Sequence, residues 1–150
     1  IDEAKQEELF AANFKTDAIP EEADGSIKPA LDDYAKGHYE DAVDAIDTKT
    51  RGVDKNEKLT DFYRHYYKAL SFLAGSKAVK AIPEFEIAVN KSSTLLFKSK
   101  SQWYLALSYL KTGQPEKSEL LLDELSKTGS GEYKAKAKEL MLQLKQGINE

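Results

Sequence analysis

The chain of 150 residues has no cysteine. That excludes disulfides, thiol chemistry and cysteine-bound zinc or iron–sulfur groups. Histidine is nearly as scarce, with only His38 and His65. Neither has a second histidine or a carboxylate at the spacing of a metal-binding HExxH helix, so both read as surface or packing residues and no metal ligand is expected. No P-loop or GxGxxG stretch is present, and no serine stands in a GxSxG nucleophile elbow. Glu84 and Glu86 are two apart, a spacing that does not share a helix face. Catalysis and a bound cofactor are therefore not expected. There is no excess of positive charge: 22 basic and 26 acidic residues give a net charge of −4, which argues against a nucleic-acid footprint. No apolar run approaches the ~20 residues that cross a membrane, so no membrane insertion of this segment is expected.

What is present is helical periodicity, clearest in WYLALSYLKTGQPEKSELLL, Trp103 to Leu122. Trp103, Leu107 and Leu110 form a helical stripe that Tyr104, Leu105 and Tyr109 widen. A helix apolar nearly all round must be packed on more than one side. Thr112-Gly113-Gln114-Pro115 breaks it, glycine suiting a helix end and proline the first turn of the next helix. Leu121, Leu122 and Leu125 then point inward from a second, amphipathic helix.

Weaker copies of this hairpin lie upstream. Ala69-Leu70-Ser71-Phe72-Leu73 matches Ala106-Leu107-Ser108-Tyr109-Leu110 at an offset of 37. Ala30 precedes Ala69 by 39, and in each copy a small residue follows 12 positions on: Ala42, Ala81, Ser118. A bulky residue comes four later still, at Ile46, Phe85 and Leu122. Small residues let antiparallel helices approach, and the bulky ones fill the space around the crossing.

This spacing resembles the tetratricopeptide repeat. YAKGHYEDAVDAI, Tyr34 to Ile46, looks like its turn and second helix, and the stretch from Trp103 looks like a nearly whole repeat. The departures are a tryptophan one place late, Asp54, Ser93 and Ser130 where a proline often ends a repeat, and a period of 37–39 against the usual ~34. The resemblance implies an all-α fold of antiparallel hairpins stacked as a short right-handed superhelix. Residues 27–150 would form it, with repeats at about 27–48, 59–90 and 97–127 and a closing helix at about 132–146. Residues 1–26 would be an N-terminal helix, with Leu9, Phe10 and Phe14 on one side, and an irregular loop. Capping of the first repeat is the expected home for that helix. The acidic run Glu40, Asp41, Asp44 and Asp47 falls on a helix and reads as a solvated face.

The resemblance also implies a function. The first helices of stacked hairpins line a concave surface suited to an extended peptide or a partner helix. Its groove positions would be Ile27, Leu31 and Tyr34, then Tyr63, Tyr66 and Leu70, then Lys100, Trp103 and Leu107. In some relatives lysines and asparagines here clamp a peptide's terminal carboxylate. Apolar residues occupy most of the matching places in this chain, so an apolar ligand is expected. Asp61 to Leu73 carries Phe62, Tyr63, Tyr66, Tyr67 and Phe72, more aromatics than one buried stripe requires, which puts some of them on an open groove. The other reading has the groove covered by residues 1–25 or by a neighbouring subunit. A protein-binding scaffold leads; a homodimerisation module and a small-ligand sensor with a pocket at Tyr63, Tyr66 and Trp103 are alternatives. The chain starts at Ile1, not at methionine. A signal or anchor ahead of it, with a place in the periplasm or bacterial cell envelope, is one expectation, which the order of helix, loop and repeats also resembles; a cytoplasmic protein is the other.

Overall fold

Glycine and proline punctuate eight helices among the described residues. The structure, a computed structural model, describes residues 1–21, 27–49 and 57–148. The helices are α1 (Glu3–Asn13), α2 (Lys28–Ala35), α3 (Tyr39–Lys49), α4 (Glu57–Ala74), α5 (Ala78–Asn90), α6 (Leu95–Lys111), α7 (Pro115–Thr128) and α8 (Glu132–Ile148). Gly25 and most of the linker expected between Thr48 and Lys58 lie outside the described residues.

The fold is all-α, and each helix from α2 onward packs on its chain neighbour as a helical hairpin. The even-numbered helices also touch one another, α2 with α4, α4 with α6 and α6 with α8. Helices α3, α5 and α7 make no comparable contact, so the even-numbered side is the inner, concave one. The small residues sit where the hairpins cross: Ala30, Ala42, Ala69, Ala81, Ala106 and Ser118 are all fully buried. In the third hairpin Ser118 Oγ donates to Ala106 O at 2.8 Å, tying α7 to α6 directly. The bulky partners Ile46, Phe85 and Leu122 are buried beside them. Ala106→Leu is therefore expected to cost ~1–3 kcal/mol by overpacking. An unchanged denaturation midpoint for this variant would mean that the crossing has room to spare.

The turns repeat as well. Gly37 and Gly113 have φ of +80° and +76°, and Ser76 takes the same left-handed conformation at +64°. In all three turns the following amide reaches back to close the helix, His38 N to Asp33 O, Lys77 N to Phe72 O and Gln114 N to Tyr109 O. The serine departs from the glycine pattern because the glycine has moved one place earlier. A Cβ on Gly75 would lie 2.9 Å from Ser71 O and 3.3 Å from Tyr39 Cβ, so close packing takes the glycine and leaves the strained angle to serine. Ser76→Gly is expected to stabilise the protein by about 1 kcal/mol, read as a Tm about 2–4 °C higher.

Pro83 lies inside α5 and is exposed. Helix α6 is buried nearly all round, from Ser99 through Leu110, as its composition demanded. The closing helix buries Tyr133, Ala137, Leu140 and Leu144.

Helix α1 departs from expectation. It does not cap the first repeat. It packs on α6 and α8, inside the concave surface at the opposite end of the array. Leu9 and Phe10 are buried there, Asn13 Nδ2 donates to Gln143 Oε1 at 3.1 Å, and Lys111 pairs with Glu7 while lying 5.0 Å from the Phe10 ring centre. The array is wide enough at α6 and α8 to take a whole helix, and α1 supplies the apolar side that fills it.

Candidate functional site: the concave face and the segment that fills it

From Phe14 the chain leaves the helix and runs back through the groove towards α2. The hydrogen bonds trace its path. Tyr104 on α6 donates its hydroxyl to Lys15 O at 2.6 Å. Tyr67 on α4 donates to Ala18 O at 2.6 Å, and Tyr34 on α2 donates to Asp17 O. The Asp17 carboxylate accepts from Tyr66 Oη at 2.8 Å and from Lys100 Nζ at 2.8 Å. Phe14 stacks on Phe10 with ring centres 5.0 Å apart and meets the edge of Tyr104.

Five donors from three helices thus converge on three residues of the N-terminal segment, Lys15, Asp17 and Ala18. They are good donors for a physical reason. Burial, and after it the negative charge of Asp17, hold Tyr34, Tyr66, Tyr67 and Tyr104 well above the ordinary tyrosine value, so each keeps its proton. Lys100 lies over the Tyr66 ring at 5.5 Å and sets its charge against Asp17. Both side chains are only about one-fifth exposed, 18% and 22%, so their pairing is weakly screened.

The expected groove residues meet different fates. Tyr34, Tyr66 and Lys100 come together around Asp17. Ile27, Leu31, Leu70 and Leu107 are buried core. Tyr63 is buried with its ring 5.8 Å from Phe97. Trp103 turns towards α8, where Lys136 lies over it at 5.8 Å. The aromatics of α4 are not on an open surface: Phe62, Tyr63, Tyr66 and Tyr67 are all buried, and Phe72 is partly so. They are numerous because α4 is packed on both sides, by the hairpins and by the N-terminal segment. Within this chain the groove holds a carboxylate and three main-chain carbonyls beside the apolar Phe14 and Ile19.

Tyr67 and Tyr104 were missed by sequence reasoning, yet a signal existed. They are separated by the repeat offset of 37, and each donates to one carbonyl of the segment.

A second cluster of titratable groups ties α4 to α5 and α3. His65 Nδ1 lies 2.7 Å from Glu84 Oε2, and Lys68 reaches both Asp47 at 3.0 Å and Glu84 at 3.6 Å. The hydrogen bond from His65 holds the Glu84 carboxyl below its ordinary value against the opposing effect of burial. For Asp61, burial pushes up but hydrogen bonds from Lys91 and Arg64 outweigh it. Opposite charges are matched throughout, as in an ion-pair network between helices. Glu86 faces the other way and accepts from Tyr109 on α6, so the two glutamates are separated as their spacing requires. Asp33, His38 and Asp41 approach within 4.8 Å at the α2–α3 turn, largely exposed.

Comparison of the chain with models of protein families, with curated proteins and with solved structures finds no match.

Proposed function

We propose that the protein is a tetratricopeptide-like interaction module whose concave face holds a segment of polypeptide. The observation that carries this reading is the set of donors on α2, α4 and α6 aimed at main-chain carbonyls of an extended chain. Backbone hydrogen bonds with a few side-chain pockets are how peptide-recognition surfaces work. The repeated hairpin supplies such a surface, and the partner is a protein or peptide.

The test is affinity capture from native cells, membrane fraction included. Wild type is compared with a donor-poor variant, Tyr67→Phe/Lys100→Met/Tyr104→Phe, whose helical content is checked first. The expected outcome is a partner retained by wild type and lost by the variant. The same partners on both would place the working surface elsewhere. Mass measured against concentration in the same preparations tests the homodimer alternative.

A further inference from the structure

The segment across the groove is read through few of its own side chains. Lys15, Thr16 and Ala18 are exposed, although the Thr16 side chain hydrogen-bonds Tyr34. The groove reaches the main-chain oxygens of Lys15, Asp17 and Ala18, which any residue could offer, and one carboxylate, which few could. Apolar contact comes from Phe14, three positions before the aspartate, and from Ile19, two positions after it; both are partly buried against the core. The donors belong to all three hairpins, whereas the segment belongs to none of them. Its attachment combines these polar contacts with the apolar anchors Phe14 and Ile19.

We propose that the concave face is a receptor for an extended peptide of the pattern aromatic, one free position, a hydroxyl residue, aspartate, one free position, aliphatic, and that residues 14–19 are its ligand in cis. This rests on the interaction-module reading and names the chemistry of what the module binds. Tyr66 and Lys100 select the carboxylate. Tyr34, Tyr67 and Tyr104 select an extended backbone rather than a helix, because a helix's carbonyls are already engaged along its own axis. The tethered segment acts at an effective concentration of order millimolar. A partner carrying the same pattern must displace it, so the N-terminal segment sets the threshold at which the face opens.

The experiment uses a labelled peptide of residues 12–21, ANFKTDAIPE, and the full chain. Its binding by fluorescence anisotropy is measured to wild type and to Phe14→Ala/Asp17→Ala, in which the cis ligand has lost its aromatic and carboxylate anchors. The expected result is binding to the double variant at least roughly tenfold tighter than to wild type. That binding is lost when the peptide's aspartate is replaced by alanine, and lost again when Lys100→Met is added to the protein. A double variant of native helical content that fails to bind the peptide, or binds it regardless of the aspartate, overturns the proposal. If the double variant does not fold, wild type is titrated with the peptide to millimolar concentration. Amide shifts at Tyr66, Tyr67, Lys100 and residues 14–19, with none at Lys127 on α7, support the proposal, and their absence overturns it. Should the peptide fail while the donor-poor variant still loses its partner, the module reading survives and only the peptide pattern falls.

Discussion

Tyr66→Ala is expected to lower the stability of this protein by ~3–5 kcal/mol, the usual cost of deleting a buried aromatic ring. Tyr66 is fully buried and its ring meets those of Phe62, Tyr67, Phe85 and Tyr104. The substitution removes those contacts, leaves a cavity between three helices and takes one of two donors from Asp17. A typical stability of ~5–15 kcal/mol leaves little after such a loss. Tyr66→Phe separates the two contributions, because it keeps the ring and removes only the hydroxyl; about 1–3 kcal/mol is expected for it. Denaturant midpoints of the two variants check both figures. An alanine variant within about 1 kcal/mol of wild type would mean that the ring is not part of the core. An open aromatic groove leads to the opposite expectation, in which the ring could be removed at little structural cost and with a large loss of partner. Because Tyr66 and Trp103 are both buried, truncating them tests the fold and not the binding.

The second large effect is alkaline unfolding. Tyr34, Tyr66, Tyr67, Tyr104 and Tyr133 are all pushed upward, by burial first and then by the charge of Asp17. The folded protein therefore holds five phenolic protons that the unfolded chain gives up near the ordinary tyrosine value of about 10. Below that pH the two states bind them equally and the stabilisation is fully present. Above it, stability falls by about 1.4 kcal/mol per pH unit for each such group. Five groups together remove a typical folding free energy within roughly one to two pH units. The expected record is one cooperative step above pH about 10, in which helical signal is lost and tyrosinate absorbance appears together. Smooth ionisation of these tyrosines with the helices intact would show that the rings are open to solvent.

The hairpins were legible because their determinants are local and repeated. Ala30 and Ala42, Ala69 and Ala81, Ala106 and Ser118 recur at one spacing, and all lie buried at the crossings. Gly37 and Gly113 end helices where a left-handed residue is needed, and the apolar girth of α6 implied packing on every side. The N-terminal segment was less so. Leu9, Phe10 and Phe14 make one side of α1 apolar, and an apolar side must be covered; it does not say by what. Capping the nearest hairpin was the natural expectation, and α1 instead packs on α6 and α8.

The sequence by itself determined an all-α chain, the places where its helices turn and the small residues on which its hairpins close. Each of these follows from backbone conformation or from helix-to-helix distance within some 40 residues, where spacing is conserved by geometry. Only the tertiary structure decided what lies in the concave face. The bonds that place the segment there span 17 to 89 residues, from Tyr34 to Asp17 and from Tyr104 to Lys15. Most of them end on main-chain oxygens, which every residue carries, so the segment's own side chains could not announce them.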